Sequence, residues 1–260
     1  MVYGSNASPL WRMIRRSARE NRALLRSRWR IPLATARALL DAEHLLASQI
    51  IGLLQPRGNA LSGHGEEVRP AVAAFHKNLF HLYAALELTT GGLTGPARVL
   101  FRTMFEALYL GKFCVVRSDD ALVTRWATGK PVSLSVDVFR RIAHPTLSET
   151  QTFWTAACRA VHATVYSGQV PFAYDEDLVR EAGSNVAILL ALLVCSYHLL
   201  SQHLLTPGIW YHMRRYFPAD AKLMVRRRAR CKCLAAQAQR LMSRPARTLV
   251  REYVACWHVS

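Results

Sequence analysis

Apolar residues recur along most of this chain at intervals of three and four, the spacing that places them on one face of a helix. From Pro9 to Arg30, Leu10, Ile14, Ala18, Leu25 and Trp29 follow that period, while Arg12, Arg15, Arg16, Arg19, Arg22 and Arg26 occupy the other faces. The pattern predicts a basic amphipathic helix. Pro32 is expected to interrupt it, and Leu33 to Leu54 reads as a second helix. A loop follows over 55–70, then a third helix over about 71–90. Gly91-Gly92-Leu93-Thr94-Gly95-Pro96 is a sharp break with Pro96 placed to open the next helix. That helix, about 97–116, is strongly apolar. Ser118-Asp119-Asp120 resembles the cap of a short helix reaching Trp126. Ser148-x-x-Gln151 has the form of a capping box opening a helix to about Tyr166. Asp175-Glu176-Asp177 suits a helix N-terminus through the macrodipole. Two basic helices, about 219–242 and 245–257, finish the chain.

The helix after Asp175 carries Val186 to Leu200, a run broken only by Ser196 and His198. A membrane span needs about twenty predominantly apolar residues. This run is shorter and adjoins Ser201, Gln202 and His203, so it reads as a central buried helix, with a span as the minority alternative. Composition agrees with the periodicity. Thirteen Gly and eleven Pro among 260 residues are too few for many short strands and turns, and Leu, Ala and Arg all favour helix. The expected fold class is all-α, with one core of ordinary size.

Charge changes the picture more than composition does. The net charge is +17, yet residues 31–213 hold equal numbers of acidic and basic groups. The excess lies in 1–30, with eight Arg and one Glu, and in 214–251, with twelve Lys or Arg and one Asp. The predicted organisation is therefore a basic N-terminal helix (1–30), a neutral helical body (31–213) and basic C-terminal helices (214–260). Clusters of this kind attract RNA, DNA or anionic lipid; the structural alternative is two solvated faces. Arg15, Arg16 and Arg19 at one end and Arg226, Arg227, Arg228, Arg230 and Lys232 at the other are the expected polyanion contacts. The six Cys lie mostly in apolar helical stretches, where a thiol acts as a small hydrophobe. Cys231-Lys-Cys233 is spaced too tightly for a zinc pair. With no apolar signal segment at the start, a cytoplasmic location is expected, an Arg-rich transit peptide being the alternative. No cofactor and no metal are expected.

The common catalytic signatures are missing: no phosphate-binding glycine loop, no nucleophile elbow, no HExxH. Arg98, Arg102 and Glu106 share one face of the helix over 97–116. Glu106 lies among Phe101, Met104, Phe105, Leu108 and Tyr109, so partial burial is expected, with Arg102 one turn away as its ion-pair partner. Trp154, Cys158, His162 and Tyr166 recur at intervals of four, with Arg159 beside them. His162 is a candidate proton shuttle, since imidazole titrates near neutrality, and His198 is a third candidate. Each also has a structural reading, as a register-fixing ion pair or as a core histidine. His76 and His81 are about 140° apart round a helix and form no metal pair.

Ala97-Arg-Val-Leu-Phe-Arg-Thr-Met-Phe-Glu106, Phe153-Trp-Thr-Ala-Ala-Cys158 with Val161-His-Ala-Thr164, and Tyr197-His-Leu-Leu200 resemble segments of an all-helical prokaryotic family related distantly to the HEPN (higher eukaryotes and prokaryotes nucleotide-binding) proteins. The likeness covers about residues 70–215. It implies a HEPN-like multi-helix bundle and an RNA-associated role, either binding or metal-independent cleavage in defence or stress. Active HEPN proteins carry an Arg, a polar residue and then a His, with four to six residues between Arg and His. That spacing occurs at Arg37–His44, Arg57–His64, Arg69–His76 and Arg251–His258, roughly as often as chance gives for this many Arg and His. Only Arg251 is followed by a polar residue, and it lies outside the resembling region. On the RNA reading, Arg102 would hold a phosphate or orient Glu106, and His162 would move the proton. The alternative is a non-enzymatic helical interaction module, self-associating through apolar faces, with its basic ends on a partner or an anionic membrane surface.

Overall fold

The computed structural model describes residues 8–54, 68–117, 119–142, 147–161, 175–205 and 207–255. Among them are ten α-helices, two π-helical turns and no strand. The helices are α1 (Pro9–Arg28), α2 (Arg30–Leu54), α3 (Val68–Thr90), α4 (Thr94–Arg117), α5 (Asp120–Ala127), α6 (Ser148–Val161), α7 (Asp175–Leu199), α8 (Pro207–Tyr216), α9 (Pro218–Leu241) and α10 (Arg244–Ala255). The π-helical turns are Leu134–Phe139, before α6, and Leu200–Leu204, which continues α7.

The all-α expectation holds. Pro32 does not end the first helix, because it falls inside the first turn of α2, where a missing N–H costs nothing. The break comes instead at Trp29, whose Nε1 donates to the Val179 carbonyl at 3.3 Å. Asp119 caps α5 as expected, its carboxylate accepting from the Leu122 N–H at 2.9 Å. Helix α8 has no counterpart in the sequence pattern: Pro207, Gly208 and the mixture of basic and aromatic residues after them carry no clear apolar period.

Helix α7 is the axis of the bundle and packs against α2, α3, α4, α9 and α10. Every residue from Leu189 to Ser196 is buried, the pattern of a helix surrounded on all sides. The stretch Glu176–Leu204 is long and apolar enough to cross a membrane, and 72% of its most apolar window is buried in the fold. Helices α3 and α4 form an antiparallel hairpin across Gly91-Gly92, with Gly92 at φ 79°, a left-handed conformation that glycine adopts without strain. Helix α9 buries a narrow stripe, Ala221, Met224, Cys231, Ala235 and Ala238, against α2 and α7, while Lys222, Arg226, Arg230, Lys232 and Arg240 are exposed. One apolar core runs from Leu33 to Tyr253. Helix α1 has a separate small cluster, Leu25 against Leu178 and Ala182.

Gly183 allows the Trp29 indole to lie where a Cβ would otherwise sit. Gly183→Ala is therefore expected to displace that ring and lower stability by about 1–3 kcal/mol, measured by urea unfolding. The same substitution at Gly52, where a Cβ meets nothing, should lower it not at all.

Candidate functional site

The three polar residues aligned on α4 separate in space. Arg98 turns to α7, where it pairs with Glu181 and its Nε donates to Asn185 Oδ1 at 3.0 Å. Asn185 in turn donates to the Thr94 carbonyl at 2.8 Å. Arg98 thus ties the start of α4 to α7. The expected Arg102–Glu106 ion pair does not form. The Arg102 guanidinium lies over the Trp154 ring, 5.5 Å from its centroid, and its buried Nε has no hydrogen-bond partner. Stacking on α6 has outweighed the pairing that helical spacing allowed, because a guanidinium face suits an indole.

Glu106 is half-buried and forms no ion pair among the described residues. Burial raises its carboxyl above the ordinary range, and the Arg102 charge pulls it back. Cys158 lies close enough to feel both: burial raises its thiol, Arg102 lowers it and Glu106 raises it. Arg102, Glu106, Trp154 and Cys158 are therefore brought together between α4 and α6. His162 lies outside the described residues. Arg159 is exposed on α6. His198 faces elsewhere, with its ring 5.6 Å from His203 and 6.1 Å from Tyr253. Of the spaced Arg–His pairs, Arg37 is bound to Glu87 and His44 stacks on His76 at 5.5 Å, so they do not form a joint centre.

Glu106 also faces a cleft of about 370 Å³ between α3, α4 and the turn after α5. Lys77, Asn78 and His81 line it from α3; Thr103, Glu106 and Leu110 from α4; Trp126 and Lys130 from the far side. The antiparallel hairpin sets these levels: Asn78 Nδ2 donates to the Met104 carbonyl at 3.3 Å. Asn78 is 2% exposed and its Oδ1 has no partner. Burial lowers the His81 imidazole pKa, and the Lys77 charge lowers it further.

The second chemically distinctive surface lies on α8 and α9. Lys222, Arg226 and Arg230 recur at intervals of four on the face of α9 opposite its buried stripe, about 6 Å apart along the axis. All three are exposed, as is Lys232, and no Lys or Arg of α9 or α10 forms an ion pair among the described residues. Arg227 and Arg228 turn inward instead. Arg227 donates to the Leu45 carbonyl and to Gln49 Oε1, both at 3.0 Å; Arg228 donates to the Ser201 carbonyl at 3.1 Å and lies over Trp210. These two arginines clamp α9 to the body. Beside them, α8 exposes Tyr211 (63%) and Tyr216 (56%), followed by Phe217 (43%). The aromatic groups are interleaved with cations, Arg215 donating to the Tyr211 hydroxyl at 3.0 Å and His212 packing on Tyr216 at 4.6 Å. Periodicity does not reveal this aromatic partner to the basic helix, because α8 carries no clear apolar period. On α1, Arg15, Arg16 and Arg19 are exposed, and Arg16 pairs with Glu20 at 2.9 Å.

No family model, no curated protein and no solved structure matches this chain.

Proposed function

We propose that the protein binds single-stranded RNA on the face formed by α8 and α9. The observation that supports this reading is the nearness of Lys222, Arg226 and Arg230, none of them in an ion pair among the described residues, to the exposed rings of Tyr211, Tyr216 and Phe217. Cations track a phosphate backbone, and aromatic rings stack bases whatever their sequence. Neither group alone distinguishes RNA from a solvated surface, but together they supply both halves of single-strand recognition. The HEPN-like resemblance points the same way. Binding is the activity proposed; His162, the candidate proton shuttle for cleavage, lies outside the described residues.

Fluorescence anisotropy with labelled oligouridylate, at two salt concentrations, tests the reading. Binding should weaken as salt rises. The double substitution Arg226→Ala, Arg230→Ala should flatten the salt slope by about 1.4, from a coefficient near 0.7 per phosphate contact on single strands. Tyr216→Ala should cost about 1–3 kcal/mol with the slope unchanged. Absence of RNA binding alongside uptake on phosphatidylserine vesicles would transfer the face to a membrane partner.

A further inference from the structure

We propose that the cleft between α3 and α4 binds a small zwitterion of the α-amino-acid class, its ammonium inward on Glu106 and Asn78 and its carboxylate outward between Lys77 and Lys130. The site is separate from the α8–α9 face, so this inference stands or falls independently of RNA binding.

The polarity of the lining sets the ligand's orientation. Asn78 is almost wholly buried, and its amide N–H is already spent on the Met104 carbonyl. Its Oδ1 is left without a donor among the described residues. A buried oxygen in that condition gains more from an incoming N–H than an exposed one would. Glu106, level with Asn78 across the hairpin, likewise has no hydrogen-bond or ion-pair partner among the described residues. Burial raises its carboxyl above the ordinary range and the Arg102 charge offsets only part of that rise, so a cation arriving beside it favours the ionised form and relieves the remainder. Two acceptors at the inner end therefore select a cationic donor.

The outer end has the opposite sign. Lys77 and Lys130 are exposed, and neither forms an ion pair among the described residues. An anionic group there meets two ammonium ions. Leu110, Val132 and the Trp126 indole supply an apolar wall between the ends. A simple anion such as phosphate would satisfy the rim and leave Asn78 and Glu106 unmet. A simple amine would do the reverse. Only a molecule carrying both charges, with an apolar side chain, meets all three parts within about 370 Å³.

Isothermal titration calorimetry of the full chain with L-phenylalanine and L-leucine tests this. The controls are 3-phenylpropanoate, which lacks the ammonium, phenethylamine, which lacks the carboxylate, and inorganic phosphate. The amino acids are expected to bind at least about tenfold more tightly than any control, the loss of one charged contact accounting for that factor. Glu106→Gln should weaken L-phenylalanine and phenethylamine while sparing 3-phenylpropanoate; Lys130→Ala should do the converse. Lys130 is exposed, so that variant remains decisive even where Glu106→Gln disturbs folding. Equal binding of phosphate or of either single-charge analogue overturns the proposal, as does no heat with any amino acid.

Discussion

Tyr253→Ala is expected to lower the unfolding free energy by about 3–5 kcal/mol. Tyr253 is fully buried near the end of α10 and joins three elements. Its hydroxyl donates to the Leu108 carbonyl at 3.3 Å, and its ring packs edge-on to Tyr109 at 5.1 Å. Its carbonyl accepts from the buried Lys112 ammonium at 2.7 Å, while that same ammonium lies 4.4 Å from its ring centroid. Removing the ring leaves both a cavity and a buried cation stripped of its aromatic partner. Tyr253→Phe keeps the ring and the carbonyl, so it should cost only about 1 kcal/mol. Urea unfolding of the two variants separates packing from hydroxyl. Near-equal losses would show that the ring contributes little.

The neighbour of Tyr253 explains why part of the fold could not be read from sequence. Ser148-x-x-Gln151 has the spacing of a capping box, but the box does not form. The α6 N-terminus is capped by Glu252, whose carboxylate accepts from the Thr150 N–H at 2.8 Å, the Glu149 N–H at 3.2 Å and the Ser148 hydroxyl at 3.4 Å. That carboxylate comes from a helix about a hundred residues away, and no local spacing records it. Where structure follows local spacing, as for Asp119 on α5 or the Gly91-Gly92 turn, reading from sequence succeeds. The site shows the same division. Partial burial of Glu106 was legible from the apolar residues around it on α4. The cleft was not, since Asn78 and Trp126 reach it from separate elements. Arg102 illustrates competition: helical spacing offered Glu106, and Trp154 on another helix took the guanidinium. Likewise the run Arg226-Arg227-Arg228 reads as uniformly exposed charge, yet two of the three reach back to carbonyls of α2 and the turn after α7.

Glu43 should make the stability of this protein depend on pH in the direction opposite to that of an ordinary surface carboxylate. It lies on α2 with no exposed surface, and neither carboxyl oxygen has a hydrogen-bond partner among the described residues. Burial raises its pKa well above the ordinary 4.5, and the nearby Ser196 hydroxyl on α7 opposes that rise without reversing it. On α9, the Cys231 thiol is pushed up to about 12, by burial first and by Glu43 second. The folded state therefore holds Glu43 as the neutral acid, whereas the unfolded chain releases the proton near 4.5. Below that value both states carry the proton and Glu43 adds no penalty. As pH rises from there towards the folded pKa, the unfolded state gains by ionising and the native state loses stability; above the folded pKa the loss levels off. Glu43→Gln keeps the shape and removes the ionisation, so its urea midpoint should exceed that of the parent at neutral pH and converge with it in acid. Glu43→Leu also removes the unpartnered oxygens and should gain about 1–3 kcal/mol. A parent and a Glu43→Gln variant with parallel stability profiles from pH 4 to 8 would mean that Glu43 ionises freely in the folded chain. That would require α9 to lift from α2, since in the packed arrangement the carboxyl faces Ser196 and Cys231 with no cation beside it among the described residues.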